Sequence, residues 1–306
     1  MLRRHWMWFV CATAATFTCV LASSVADAQT KKPVDWVKLN PAFAGATFVN
    51  DAETCLGCHD DYRAKYNATK HARAFAVKAP ATTGACESCH GPRSKHIENP
   101  TTELRIDSNT RAQATVCLQC HDSGARMGWK AGAHQSNDVS CTSCHVVMEQ
   151  KSERALLAKA TTGDTCFSCH ADVRAETFKL SHHPVREGRM DCASCHNVHG
   201  SAPSLLTKNT VNDTCYSCHT EKRGPFLWEH APVRESCVTC HTPHGSTQPN
   251  LLMARQPFLC LNCHSYGGHV NLPRYNRVSN PYGSGCSNCH TSTHGSNHPS
   301  GAKLTR

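Results

Sequence analysis

Ten C-x-x-C-H motifs in 306 residues constrain this chain more than anything else in it. They occupy residues 55–59, 86–90, 117–121, 141–145, 166–170, 192–196, 215–219, 237–241, 260–264 and 286–290. Twenty of the 22 cysteines lie in these motifs: Cys55, Cys58, Cys86, Cys89, Cys117, Cys120, Cys141, Cys144, Cys166, Cys169, Cys192, Cys195, Cys215, Cys218, Cys237, Cys240, Cys260, Cys263, Cys286 and Cys289. Two cysteines at this spacing form thioethers to the two vinyl groups on one haem edge, and the adjacent histidine reaches the iron. A zinc ribbon requires no histidine after its second cysteine, a thioredoxin-like site uses one C-x-x-C, and disulfides impose no histidine. The motifs therefore read as ten covalent haem c groups, with His59, His90, His121, His145, His170, His196, His219, His241, His264 and His290 as proximal iron ligands.

The two remaining cysteines, Cys11 and Cys19, precede the motifs in a segment with the order of a secretory signal peptide. Met1-Leu2-Arg3-Arg4-His5 is cationic, residues 6–22 are apolar, and Ala26-Asp27-Ala28 is an A-x-A site. Cleavage is expected after Ala28, which leaves no thiol outside a motif. An uncleaved anchor fits less well, because the apolar stretch is at the lower limit for a spanning helix and is rich in Ala and Thr. Phe17-Thr18-Cys19 lacks the small residues that a lipoprotein site needs. Residues 29–50 read as an N-terminal arm, and residues 51–306 as the electron-transfer domain.

With one motif per about 28 residues, the chain has little apolar material of its own, and the porphyrins must supply most of the buried surface. The expected fold class is a multihaem cytochrome c: mostly irregular, with short α-helices and little or no β. Cleavage would remove Arg3, Arg4 and Asp27 and leave 30 basic against 22 acidic residues. Haem propionates would bring the holoprotein to about −2 oxidised and about −12 reduced, so the basic side chains are matched to propionates and no nucleic-acid partner is expected.

The motifs recur in pairs. Residues 166–206 run from CFSCH through Ser181-His182-His183-Pro184-Val185-Arg186-Glu187 to CASCH-Asn197-Val198-His199-Gly200-Ser201. Residues 215–252 repeat this from CYSCH through Glu229-His230-Ala231-Pro232-Val233-Arg234-Glu235 to CVTCH-Thr242-Pro243-His244-Gly245-Ser246. Looser copies give five di-haem units starting near 55, 117, 166, 215 and 260, the period of an elongated array in which each unit packs on its neighbours. Helices are predicted over 60–75, from a Ser152 cap through 160, and over 171–180.

A haem iron held from both sides exchanges electrons, whereas one open position permits catalysis. Outside the signal segment and the motifs there are eleven histidines for ten distal positions. Alignment of the two clear repeats on Pro-Val-Arg-Glu sets His182 opposite His230 and leaves His183 spare. The distal ligands are then His71, His96, His134, His182, His199, His230, His244, His269, His294 and His298. His199 and His244 lie three residues past a proximal histidine, which is too little chain to reach the other face of the same porphyrin, so each should serve a different haem. After the fourth motif the chain reads Val146-Val147-Met148, with methionine where the sixth and eighth motifs have His199 and His244. Met148 is either a thioether ligand or, as expected here, a packing residue, with His298 or another distant histidine completing the set.

The ten motifs, the HGS endings and the terminal CSNCHTSTHGSNHPSG resemble the MtrA/DmsE-type periplasmic decahaem cytochromes across essentially the whole mature chain. The resemblance implies a bis-histidine haem wire in the periplasm that inserts into an outer-membrane β-barrel porin. Its partners would be an extracellular multihaem cytochrome and a periplasmic or inner-membrane cytochrome donor or acceptor, for extracellular metal reduction or iron oxidation. The other readings are a soluble periplasmic electron shuttle and a multihaem reductase of nitrite or hydroxylamine. All ten motifs end in histidine and enough distal histidines exist to close every iron, so no catalytic residue is expected.

Overall fold

Each odd-numbered motif except the last follows from one local rule: a side-chain cap starts a short helix, and the first cysteine lies in its last turn. Asp51 caps Ala52–Leu56, Asn109 caps Thr110–Leu118, Thr161 caps Thr162–Phe167 and Thr210 caps Val211–Tyr216. In the third and fourth units the caps are equivalent. Thr161 Oγ1 accepts from Asp164 N–H at 3.0 Å and donates to the Asp164 carboxylate at 2.7 Å. Thr210 and Asp213 repeat both distances. Such caps satisfy backbone donors that these helices of five to nine residues would otherwise leave open. The ninth motif begins within Phe258–Leu261.

The fourth, sixth, eighth and tenth motifs use a different device, in which the chain returns to pair with the proximal histidine. Val146 N–H donates to Leu156 O and Ala158 N–H to Cys144 O, both at 2.8 Å. Asn197 pairs with Leu205 and Thr207 with Cys195 in the same way, as do Thr242 with Leu251 and Met253 with Cys240. Ser292 N–H donates to Leu304 O in the tenth. The turns at Ala155-Leu156, Ser204-Leu205 and Asn250-Leu251 have positive φ at both residues, the hairpin conformation that normally selects Asn or Gly. Holding a non-glycine residue there costs about 1–2 kcal/mol, which the surrounding structure must offset.

These elements were traced in a computed structural model that describes residues 33–78, 86–106, 109–265 and 285–305. The expected signal peptide, its two cysteines and His269 lie outside the described residues. Residues 34–306 cluster as one unit. Among the described residues the fold is mostly irregular with short α- and 3-10 helices, and the only extended pairings are isolated bridges such as Ser181 with Ser246 and Trp228 with Ser296. None of their helices is long and apolar enough to cross a membrane.

The helix predicted over 60–75 is two helices, Asp61–Asn67 and Lys70–Lys78. They break at the fully buried Thr69, whose hydroxyl accepts from Ala72 N–H at 3.1 Å and starts the second. The helix predicted over 171–180 is Ala171–Thr177. The one predicted from Ser152 does not form. Ser152 Oγ donates to Arg154 O and accepts from Leu157 N–H, closing a tight turn that leads into the positive φ of Ala155 and Leu156.

Residues 34–50, within the 29–50 segment read from sequence as an arm, pack against the segment around the second motif. Phe43 is 1 % exposed, and Glu87, 2 % exposed, accepts backbone N–H bonds from Val49, Asn50 and Arg93. The approach requires glycine at 91, where φ is +77° and a Cβ would meet Trp36 Cε3 at 2.6 Å.

Candidate haem sites

The structure sets the rings of eight motif histidines beside a histidine ring from elsewhere in the chain, at interplanar angles from 13° to 82°. His59 faces His96, His121 faces His71, His145 faces His199 and His170 faces His134. His196 faces His244, His219 faces His183, His241 faces His294 and His264 faces His230. Ring centroids are 5.9–6.3 Å apart in all eight. Direct stacking would bring rings closer. Two metal–nitrogen bonds of about 2 Å, plus about 1 Å from each nitrogen to its ring centre, give about 6 Å. The separation therefore fits an iron held between the rings, with the thioether cysteines of the motif alongside.

Hydrogen bonds orient the rings for that role. Nδ1 of His145, His196, His241 and His290 lies 2.8, 2.9, 2.8 and 2.6 Å from the carbonyls of Ala155, Ser204, Asn250 and Lys303. Because a carbonyl only accepts, Nδ1 carries the proton and Nε2 keeps its lone pair for a metal. The carbonyls come from the return turns, three of them from the first positive-φ residue, so the strained backbone sets the tautomer. Burial pushes the pKa of His71, His199 and His294 below the ordinary imidazole range, favouring the neutral form that binds metal.

Distal histidines facing odd-numbered motifs are braced in a second pattern. Nδ1 of His134 lies 3.0 Å from Val198 O, that of His183 2.7 Å from Pro243 O and that of His230 3.1 Å from Thr293 O. Each acceptor immediately precedes a distal histidine of an even-numbered motif: His199, His244 or His294. The backbone thus ties each such site to its neighbour. Gly245 permits the closest approach, since a Cβ there would lie 2.0 Å from Glu176 O.

At one position the ring arrangement departs from the sequence expectation. His183, set aside from sequence as spare, faces His219, whereas His182 has both ring nitrogens engaged. Its Nδ1 bonds Lys179 O at 2.7 Å and its Nε2 lies 3.2 Å from Glu187 Oε1. The bridges give the reason. Ser181, two residues before His183, pairs with Ser246, just as Trp228, two residues before His230, pairs with Ser296. His183 is therefore the structural equivalent of His230, and alignment on Pro-Val-Arg-Glu missed a one-residue offset. A sequence signal existed: His134 and His183 both lie 13 residues past the preceding proximal histidine. His298 forms a local turn, its Nδ1 accepting from Ser300 N–H at 3.2 Å.

The motif cysteines form a chain of neighbours in sequence order. The first cysteines of the two motifs in each unit are close neighbours: Cys55 and Cys86, Cys117 and Cys141, Cys166 and Cys192, Cys215 and Cys237, and Cys260 and Cys286. Between units, second cysteines lie within electrostatic reach: Cys89 of Cys120, Cys144 of Cys169, Cys195 of Cys218 and Cys240 of Cys263. Burial first, and then Cys120, pushes the Cys89 thiol up to about 11.

Comparison with known proteins agrees with this organisation. The doubled CXXCH motif family matches residues 79–126, 134–175, 182–224 and 230–269. The multihaem cytochrome MtrA of Shewanella baltica is 41% identical over 272 residues, which cover 83% of this chain and 81% of that protein. A high-molecular-weight cytochrome c of Nitratidesulfovibrio vulgaris is 27% identical over 158 residues, 46% of this chain but 25% of its own length. With haem-attachment motifs repeated from end to end and a relative matched over most of both lengths, the chain belongs to the MtrA family of multihaem c-type cytochromes.

Proposed function

We propose that this protein is a periplasmic decahaem cytochrome that carries electrons across the outer membrane inside a β-barrel porin. Each motif attaches one haem c, ten in all. The observation that carries the reading is the unbroken cysteine sequence, in which each motif neighbours the next from Cys55 to Cys286. Haem c supplies an iron that gains or loses one electron at a time.

The polypeptide's part is to fix positions. Paired histidines would hold each iron between them, their tautomers fixed through backbone carbonyls, which would limit rearrangement on a change of charge. Shared loops, such as Val198-His199 between the fourth and fifth sites, keep neighbouring sites from drifting apart. With both faces closed the protein is an electron carrier rather than an enzyme. The MtrA relationship supports partners in a porin–cytochrome complex, which on this reading are a β-barrel porin, an extracellular multihaem cytochrome and a periplasmic or inner-membrane cytochrome.

Two measurements test the proposal. Mass spectrometry of the exported protein should give ten added haems, and affinity purification from outer membranes should recover a barrel protein in equimolar amount that shields the cytochrome from protease. Fewer haems would break the wire, and a wholly free periplasmic pool would turn the conduit into a soluble shuttle.

A further inference from the structure

The even-numbered sites obey a register. His145 of the fourth motif faces His199, which follows the sixth; His196 of the sixth faces His244, which follows the eighth; His241 of the eighth faces His294, which follows the tenth. Each even site thus takes its distal ligand from the loop after the next even motif. Continued towards the N-terminus, the register gives the second site, with proximal His90, a ligand from the loop after the fourth motif. That loop has the same fold as its counterparts, with the His145–Leu157 bridge and the His145 Nδ1 bond to Ala155 O. Three residues past His145, where the sixth and eighth motifs have His199 and His244, stands Met148.

A second observation puts this loop beside the neighbouring site. His134, His183 and His230 each donate Nδ1–H to the carbonyl just before an even-site ligand. His71 belongs to the same series, facing His121, and it lies within electrostatic reach of His145. By register its acceptor would be Val147 O. Its buried Nδ1 instead has no partner, so the departure from the common brace falls at the loop where methionine replaces histidine.

We infer that Met148 is the sixth iron ligand of the haem attached at Cys86 and Cys89, making the second site His–Met. This rests on the decahaem reading above and reverses the expectation that Met148 merely packs. Among the described residues the other unassigned histidines are poorly placed: His182 is engaged at both nitrogens, and His298 follows Ser296, which bridges to Trp228 in the C-terminal units. A thioether raises a haem's potential relative to bis-histidine neighbours, so the second site would hold an electron more tightly than those flanking it.

Near-infrared magnetic circular dichroism of the ferric protein tests this directly. Wild type should show the sulfur-to-iron charge-transfer band at one haem equivalent beside the bis-histidine bands. Met148→Leu should lose it and gain one high-spin haem by EPR, Met148→His should replace it with bis-histidine absorption, and Met190→Leu should keep it. Peptide mass spectrometry at Cys86 and Cys89 separates the two readings. Haem on that peptide with no band, or a band surviving both Met148 variants, overturns the inference alone. No haem there overturns the decahaem reading with it.

Discussion

Seven of the eight buried apolar side chains among the described residues, from Phe43 to Leu156, lie before residue 161, whereas residues 161–252, with four of the ten motifs, contribute none. The first half has a small core of its own. Phe43 of the docked segment has its ring 5.6 Å from that of Trp36, Leu104 is buried, and Thr110–Leu118 buries Ala112, Ala114 and Val116. Residues 161–252 are held by caps, bridges and return turns, and their buried side chains are polar: Thr165, Thr177, Asn212, Thr214 and Ser246. Hydrogen bonds of this kind contribute only about 1 kcal/mol each against the entropy of ordering the chain. The regular repeats therefore depend on haem for stability more than the irregular ones do.

Blocking haem attachment should break this comparison open. Cys215→Ser with Cys218→Ser should abolish hydrogen-exchange protection across residues 207–252. The equivalent change at Cys117 and Cys120 should leave partial protection in Thr110–Leu118, because its buried apolar side chains remain. Equal losses in both halves would mean that the apolar cluster is too small to matter.

Phe43→Ala sharpens the comparison from the other side. Truncating a fully buried phenylalanine costs about 3–5 kcal/mol, and the loss should fall on residues 34–106. Exchange at residues 161–252 should not change. A uniform loss of protection would instead show that the two halves unfold as one cooperative unit.

Much of this was legible in the sequence because covalent chemistry leaves a fixed signature. C-x-x-C-H names both attachment and proximal ligation without reference to the fold. Distal ligands carry no such signature, since their partners lie one or two units away. His199 and His244 could be excluded from their own haems by chain length alone, but which iron each faces depends on loop-to-loop bridges. The His182/His183 reversal arose for that reason: Pro-Val-Arg-Glu aligns the loop, while the Ser181–Ser246 bridge aligns the ligand. The helix expected after Ser152 failed because local propensity says nothing of a return turn needed to place the Ala155 carbonyl on His145.

The smallest expected effect belongs to His182, released from ligation. Its hydrogen bond to Glu187 raises the imidazole pKa and lowers that of the carboxyl. The raised imidazole stabilises fully below its unfolded pKa, and this is lost as pH rises through the folded value. The lowered carboxylate stabilises above its own unfolded pKa, and this is lost as pH falls through the folded value. The contact is therefore strongest between about pH 5 and about pH 6.5. Glu187→Gln should flatten stability against pH in that window, by an amount kept small because both groups face solvent. It should leave the haem spectrum untouched, as should His182→Ala, whereas His183→Ala should convert one low-spin haem to high spin. A spectral change in His182→Ala with none in His183→Ala would restore the assignment suggested by sequence alignment.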